Sequence, residues 1–73
     1  MTDNEFVLAH LQKWGSITPK EAYARYGIMR LSARIWDLRH KYGHDIQSVP
    51  VGFTKDGRHG YFTRYVWRGD SVG

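Results

Sequence analysis

The sequence contains no cysteine among its 73 residues, and its apolar residues are not gathered into long runs. The absence of cysteine excludes a disulfide framework and a thiolate zinc site, so apolar packing must hold the chain together. No stretch approaches the roughly 20 consecutive apolar residues that cross a bilayer, and the N-terminus lacks the basic start and apolar run of a secretory signal. The sequence therefore predicts a soluble, cytoplasmic protein with no membrane partner.

Groupings of residues that support catalysis or hold a metal are also scarce. The 7 acidic residues are scattered over predicted helix caps, a helix surface, turns and the tail, and the spacing enforces no base beside a serine or threonine. His40 and His44 are four residues apart, but Gly43 should interrupt any helix that could bring them onto one face. A chain this short also buries too little to enclose a deep pocket. We therefore expect neither an enzyme nor a cofactor or metal site.

Positive charge is in excess and is concentrated in the middle of the chain. The 11 lysines and arginines against 7 acids give a net charge of +4 and a pI of about 9.7. Residues 25–68 hold most of the basic residues and few acids: Arg25, Arg30, Arg34, Arg39, Lys41, Lys55, Arg58, Arg64 and Arg68 against Asp37, Asp45 and Asp56. A polyanion, and nucleic acid above all, is the expected partner of such a surface.

Two capping boxes mark the starts of two helices. Residues 2–5 (TDNE) and 18–21 (TPKE) both allow a hydroxyl and a carboxylate to accept backbone N–H groups at a helix N-terminus. Pro19 at the first helical position strengthens the second start. The first helix should carry an apolar stripe and end at a glycine: Val7, Leu8, Leu11, Trp14 and Gly15. The second should be about two turns long, with Tyr23 and Tyr26 as packing residues and an end at Gly27.

A third helix is expected to begin near Met29 and to end near Gly43. Its core face recurs at helical spacing: Leu31, Ile35, Leu38 and Tyr42. Only the tight glycine turn at Gly27 separates it from the second helix. The sequence thus predicts two consecutive helices at an angle, of which the third is rich in arginine.

The remaining sequence changes to the two-residue period of β-strands. Residues 45–53 predict a strand that Pro50 and Gly52 make either an edge strand or a bulged one. Asp56-Gly57 supplies the positive φ values of a tight turn, and residues 61–67 should form the return strand. Most aromatic residues of that strand are expected to cover the helices.

These elements predict an α+β fold, a winged helix-turn-helix of three helices followed by a two-stranded β-hairpin wing. Ile17 predicts a further, brief strand before the second helix. A single domain should cover residues 1–68, with residues 69–73 as a flexible tail. The second helix would brace the third against a DNA major groove about 12 Å wide, while the wing reaches the neighbouring backbone.

Four short motifs follow one another in the middle of the chain: Thr-Pro-x-x-Ala, Gly-Ile, Arg-Leu-x-x-Arg-Ile-x-x-Leu-Arg and Gly-x-x-Ile. They stand here at Thr18, Pro19, Ala22, Gly27, Ile28, Arg30, Leu31, Arg34, Ile35, Leu38, Arg39, Gly43 and Ile46. This stretch resembles a family of small winged-helix proteins common in bacteriophages and prophages, and the hairpin matches it more loosely. The chain departs from the broader helix-turn-helix pattern at Tyr23, where a small residue is expected. The resemblance implies DNA binding.

The side of the third helix opposite its core face is the expected reading surface. A rotation of about 100° per residue places four residues there: Met29, Ala33, Trp36 and His40. Arg30 and Ser32, near the N-terminal end, are expected to contact bases, because arginine can bond guanine O6 and N7 together. Arg34 can reach phosphate or pair with Asp37. Arg39 is expected to bond Asp45 or backbone carbonyls rather than DNA.

Further contacts are expected outside that helix. Lys55, Arg58 and His59 surround the turn of the wing and can reach phosphates or a minor groove. Lys20, near the start of the second helix, can hold another phosphate. Trp36 can cover the wing, contact thymine methyl groups or lie in a dimer contact.

The sequence therefore predicts a sequence-specific protein that binds double-stranded DNA, either a transcriptional regulator or an excisionase-like architectural factor. A regulator would usually bind a palindrome as a homodimer, whereas an excision factor would assemble side by side on direct repeats and bend the DNA. The alternative is a phage-encoded inhibitor that uses the same basic face to bind a host nucleic-acid-binding complex. Double-stranded RNA is less favoured, because a helix cannot read its deep, narrow groove. Stacking of single strands on the wing is disfavoured if its aromatic residues cover the helices.

Overall fold

The computed structural model describes residues 2–70. Within this range the chain forms six elements: α1 (Asp3–Trp14), β1 (Ser16–Ile17), α2 (Pro19–Tyr26), α3 (Leu31–His40), β2 (His44–Lys55) and β3 (Arg58–Asp70). The order of the helices and the hairpin confirms the predicted α+β fold, and β1 confirms the brief strand at Ile17. None of the helices in this range is long and apolar enough to cross a membrane.

Both predicted capping boxes form. At the start of α2, Thr18 Oγ1 accepts the Glu21 N–H at 3.2 Å, and Glu21 Oε1 accepts the Thr18 N–H at 3.1 Å. Gly15 and Gly27 end α1 and α2 with φ angles of 86° and 68°, in the left-handed region that costs glycine least. These local signals set the helix bounds because they satisfy backbone groups that helix ends leave open.

The core lies where the helices meet the base of the sheet. Every helix and strand contributes at least one buried apolar residue: Val7, Leu11, Ile17, Ala22, Ile28, Leu31, Ile35, Leu38, Ile46 and Tyr65. Three of these, Leu31, Ile35 and Leu38, confirm the predicted core face of α3. The prediction for Tyr42 is wrong: α3 ends at His40, so Tyr42 has left the helical spacing and is 60% exposed.

The apolar stripe of α1 is also shorter than predicted. Val7 and Leu11 are fully buried, but Trp14, the last residue of the helix, is 52% exposed. The Trp14 ring lies 4.6 Å from the His10 ring, and the Lys13 ammonium lies over its face. His10 therefore occupies the buried position on this side of α1 that the sequence assigned to Trp14.

The hairpin is longer than predicted and belongs to a three-stranded antiparallel sheet. The strand order is β1-β3-β2, with Ile17 opposite Tyr65. The β2 and β3 strands pair continuously up to Lys55 opposite Arg58. At its other end β3 includes Gly69 and Asp70, which the sequence placed in a tail; the remainder of that tail lies outside the described residues.

The β2 strand lies at the edge of the sheet, as Pro50 predicted. An edge position tolerates proline because one side of the strand needs no N–H donor for a neighbour. The irregular register lies closer to the core than the proline, between Asp45 and Ile46. At the far end Asp56 and Gly57 have φ angles of 53° and 75°, which confirms the predicted tight turn.

The two sides of the hairpin face different surroundings. Side chains alternate along each strand, and residues paired across the strands share a side. The inner side is marked by Ile46, Tyr65 and Trp67, which pack in or against the core. The outer side carries the alternate positions: Val49 with Arg64, Val51 with Phe62, Phe53 with Gly60, and Lys55 with Arg58.

The aromatic residues of β3 are divided between these environments. Tyr65 is buried and Trp67 packs against the core, as predicted for this strand. Tyr61 is 79% exposed, because the hairpin continues toward its turn beyond the part that packs on the core. Phe62 lies on the outer side and is half-buried. The expectation that most of these rings cover the helices is therefore wrong for Tyr61 and Phe62.

Candidate nucleic-acid interface

The turn between α2 and α3 is fixed by backbone hydrogen bonds and by burial. The Gly27 N–H donates to Tyr23 O at 2.9 Å, and the Ile28 N–H donates to Ala22 O at 3.2 Å. Ile28 is only 3% exposed, so its side chain anchors the chain in the core immediately before α3 begins at Leu31. The core thus sets the direction in which α3 presents its other side.

The solvent side of α3 carries an aromatic pair. Trp36 is 55% exposed, and its ring centroid lies 4.6 Å from that of His40, one turn further along the helix. Ser32 is exposed, whereas Ala33 is half-buried. The ring contact with His40, a residue of the same helix, is not one of the three contacts that the sequence suggested for Trp36. Trp36 and His40 therefore lie on the side opposite the core, as the helical spacing predicted.

The N-terminal end of α3 differs from the prediction. The helix begins at Leu31 rather than near Met29, and Arg30 is its capping residue with non-helical φ and ψ angles of −120° and 66°. The Arg30 carbonyl accepts the Ala33 N–H at 3.2 Å, but its side chain makes no capping hydrogen bond. Met29 is 82% exposed. Both side chains therefore stand at the helix start rather than along its reading face, because the residues between the buried Ile28 and Leu31 are not helical.

One flank of α3 is held by a single carboxylate. Asp37 lies 3.4 Å from an Arg34 nitrogen and 3.7 Å from Lys41 Nζ, and it accepts a hydrogen bond from Asn4 Nδ2 of α1 at 3.4 Å. The alternative in which Arg34 pairs with Asp37 is therefore the one observed. The contacts with Lys41 and Asn4 were not predicted; the spacing of four residues could have indicated the first.

The opposite flank of α3 is tied to the wing. Arg39 Nε donates to the backbone carbonyl of Ile46 at 2.8 Å, and Arg39 Nη2 donates to Ser48 Oγ at 2.7 Å. These bonds confirm a structural role for Arg39 and identify a strand carbonyl as its partner. They fix β2 relative to α3, because a guanidinium holds its donors in one rigid plane.

The turn of the wing carries exposed polar and basic groups. Lys55 and Arg58 are paired across the last rung of the ladder and lie on the outer side. His59 alternates to the inner side, where its Nδ1 lies 3.2 Å from Thr54 Oγ1. All of these residues are exposed. The hairpin therefore carries the two fixed positive charges and His59 to its turn, on opposite sides of the ribbon.

Lys20 lies apart from these residues, in the first turn of α2. It lines an open cleft of about 590 Å³ together with residues of α2, β1 and β3: Ser16, Thr18, Pro19, Glu21, Phe62 and Arg64. Its cationic neighbour across this cleft is Arg64 of the outer side of the hairpin. The structure thus groups Lys20 with the outer side of the wing.

A buried histidine of α1, His10, contacts α2, and the sequence analysis missed it. His10 is 1% exposed; its Nδ1 lies 2.8 Å from the Tyr26 hydroxyl, and its Nε2 lies 3.8 Å from a Glu21 oxygen. Burial lowers the pKa of His10 below its usual value, and the Glu21 carboxylate opposes part of this shift. The spacing could have indicated its burial, because His10 follows Val7 by three residues on the apolar stripe.

The two tyrosines of α2 differ in their exposure to solvent. Tyr26 stacks on Phe6 with ring centroids 5.3 Å apart, so its packing role is confirmed. Tyr23 is 61% exposed, which contradicts the expectation that it packs. A large residue is accommodated there, where the broader pattern has a small one, because its side chain is directed to solvent.

Comparison with known proteins agrees with this architecture. The chain matches the family model described as a winged helix-turn-helix domain over residues 2–67, which is nearly the whole chain. No curated protein and no solved structure matches it significantly. The match includes the capping boxes, the α2–α3 turn and most of the wing, and a helix-turn-helix is a DNA-binding arrangement. The chain therefore belongs to the winged helix-turn-helix domain family.

Proposed function

We propose that this chain is a sequence-specific double-stranded DNA-binding protein of a phage or prophage, acting as a transcriptional regulator or as an excisionase-like architectural factor. The observation that carries the proposal is the solvent side of α3, which the core and Arg39 hold in a fixed relation to a basic wing. A helix of this kind fits a major groove, and the net charge of +4 favours a polyanion.

Base contacts are assigned to the start and the solvent side of α3. Ser32 and Ala33 are small, which allows close approach of the helix to the base edges. Arg30, standing at the helix start, can reach a guanine edge with two parallel hydrogen bonds. Trp36 offers an apolar surface to a thymine methyl group, and Met29 offers another just before the start of the helix. Arg34 serves a phosphate only if it leaves Asp37.

Phosphate contacts are assigned to the wing and to α2. Lys55 and Arg58 bring two positive charges to the end of a long hairpin, and His59 adds donors on the other side of the ribbon. Such contacts supply affinity and register without reading the sequence. Lys20 is the fourth member of this group.

The test is selection of bound duplexes from a random pool at two salt concentrations. The proposal predicts an enriched motif and affinity that falls as salt rises. A palindromic motif would identify a dimeric regulator, whereas direct repeats with bent DNA would identify an excisionase-like factor. Failure to enrich any motif, together with amide chemical shifts that stay unchanged on addition of duplex DNA, would overturn the proposal.

A second candidate function is supported by exposed apolar surface near the same site. Met29 is 82% exposed and Trp36 is 55% exposed, so both offer large apolar side chains that a protein partner could cover. A phage-encoded inhibitor of a host nucleic-acid-binding complex would use these residues together with the basic face. It predicts stoichiometric association with a protein and only weak, non-saturating binding of duplex DNA. A homodimer through Trp36 would instead appear as a doubled mass in solution.

A further inference from the structure

The outer side of the wing carries two aromatic rings directed away from the helical core. Phe53 is 47% exposed and Phe62 is half-buried, and their ring centroids lie 6.1 Å apart with planes inclined by 36°. The far edge of the Phe53 ring occupies the space above Gly60 on the paired strand, where a Cβ atom would overlap it. The ring therefore lies across both strands instead of standing upright. Together the rings form a stepped aromatic surface on the ribbon.

Cations border this aromatic surface at both ends. Lys55 and Arg58 lie toward the turn, and Arg64 lies two residues beyond Phe62 on the same side. Among the described residues, the outer positions from Gln47 to Lys55 and from Arg58 to Val66 include no acid. The distance from Lys55 to the Val49–Arg64 pair is about 20 Å, from six residue steps along a strand.

A cleft continues this surface toward α2. Phe62 and Arg64 form one wall of the 590 Å³ cleft, and Lys20 and Pro19 belong to the other. Glu21 also lines the cleft, but its carboxylate accepts hydrogen bonds from Thr18 at 3.1 and 3.2 Å. A fourth cation, Lys20, thus extends the line of positive charge beyond the end of the aromatic pair.

From this arrangement we propose that the outer side of the wing is a second nucleic-acid site, which binds a short single-stranded segment by stacking bases on Phe53 and Phe62. Lys55, Arg58, Arg64 and Lys20 bind its phosphates. Proteins that bind single strands combine aromatic platforms with a basic track in this way. Its aromatic platform is distinct from the base contacts proposed for α3, because it lies on the outer side of the hairpin, whereas Lys55, Arg58 and Lys20 serve the phosphates of both proposed sites.

Two other occupants fit the surface less well. The bases of an intact duplex are stacked on one another, so they cannot reach the two rings without being extruded. An acidic peptide that extended the sheet along the free edge of β2 would lose a hydrogen bond at Pro50, which lacks a donor. A single strand meets neither obstacle, because it uses the face of the ribbon and exposes its bases.

The test measures fluorescence anisotropy of a labelled oligothymidylate of about 10 nucleotides with the full chain. The substitutions Phe53→Leu and Phe62→Leu, made together, keep apolar volume but remove the flat rings. We expect affinity for the oligonucleotide to fall about fivefold or more, and affinity for the selected duplex to change less than about twofold. Tyr61→Leu is the matched control, since it removes an exposed ring of β3 from the opposite side, and it should leave oligonucleotide binding unchanged.

A second probe separates stacking from charge. An abasic oligonucleotide of the same length has the same phosphates, so we expect it to bind about fivefold or more weakly than the oligothymidylate. Equal binding of the two probes would overturn the proposal, as would parallel loss of single-strand and duplex binding in the double variant. Tighter binding of a polyglutamate peptide than of the oligothymidylate, if lost in the double variant, would also overturn the proposal and indicate a protein partner. A chain that fails to bind duplex DNA yet binds the oligonucleotide through its rings would overturn the proposed function alone.

Discussion

The helical part of the molecule and the wing are stabilised in different ways. Residues 2–40 contain the capping boxes, the glycine turns and most of the buried apolar side chains. The wing, residues 44–70, joins this core mainly through Ile46, Tyr65 and Trp67, and extends beyond it as a two-stranded ribbon with exposed side chains. The difference separates two kinds of residue: substitution of a buried side chain in the helical part should change folding, whereas substitution of an exposed side chain at the start of α3 or toward the turn of the wing should change binding.

The largest expected effect is on folding, from Leu38→Ala. Leu38 is 1% exposed in the core, so its truncation should lower the free energy of unfolding by about 2 to 5 kcal/mol, measured by chemical denaturation. Val51→Ala on the outer side of the wing is the control and should cost clearly less. Equal losses at the two positions would remove the distinction between the two regions.

Arg39→Met tests the connection between the regions. It keeps an apolar stem but removes the bonds to Ile46 O and Ser48 Oγ, so we expect a loss of about 1.5 to 3 kcal/mol in stability, with weaker duplex binding. Arg34→Met, on the partly buried ion-paired flank, should cost less than Arg39→Met, because Lys41 Nζ still lies 3.7 Å from Asp37. Denaturation curves that rank the two variants in the reverse order would contradict the structural role of Arg39.

Arg30→Ala should change binding without changing folding. Its side chain makes no capping bond, so the unfolding free energy should be unaffected, whereas duplex binding should weaken by about 1 to 3 kcal/mol and base preference should relax. Competition assays with the selected duplex and its single-base variants measure both quantities. Unchanged affinity and preference would show that the start of α3 does not enter the groove.

Lys55→Ala and Arg58→Ala should weaken all duplexes alike. Each removes one phosphate contact, so the slope of the logarithm of the binding constant against that of salt concentration should decrease by about one. Lys13→Ala provides the control, because this exposed cation of α1 lies over Trp14 and far along the chain from the wing. If Lys13→Ala lowered the slope as much as the wing variants do, the salt dependence would reflect the total charge of the protein and not phosphate contacts of the wing.

The smallest expected effect is the pH dependence caused by His10. Burial lowers the pKa of His10 in the folded chain, so below about pH 6.5 the unfolded chain binds a proton that the folded chain does not. The free energy of unfolding should therefore fall as the pH decreases from 6.5 toward the folded pKa, and remain constant above that interval. Denaturation midpoints across this range measure the slope. His10→Gln should flatten it, whereas His59→Gln on the exposed wing should not.

Local features of the sequence predicted the parts of the fold that local chemistry controls. The two capping boxes, Gly15, Gly27 and the Asp56-Gly57 turn all form as expected, because each satisfies nearby backbone groups or supplies a positive φ angle. The core face of α3 was predicted from spacing alone for Leu31, Ile35 and Leu38. These features need no knowledge of what lies across the fold.

Contacts between distant segments were less predictable. The α3 helix starts at Leu31 rather than near Met29 because Ile28 is buried in the core. Met29 and Arg30 therefore lie outside the helix. The same limit applies to Asn4 with Asp37 and to His10 with Tyr26, whose partners are separated by 33 and 16 residues. Sequence spacing can place a residue on one face of an element, but it does not identify which surface that face will meet.

By itself, the sequence determined where helices start and stop, which side of α3 is apolar, and that the chain carries an excess of positive charge. The tertiary structure alone decided that Arg39 joins α3 to the wing, that Asn4 of α1 bonds Asp37, and that Phe53 and Phe62 lie on the outer side of the ribbon. The physical reason is range: caps and turns act over a few residues, whereas burial depends on how all the elements pack together.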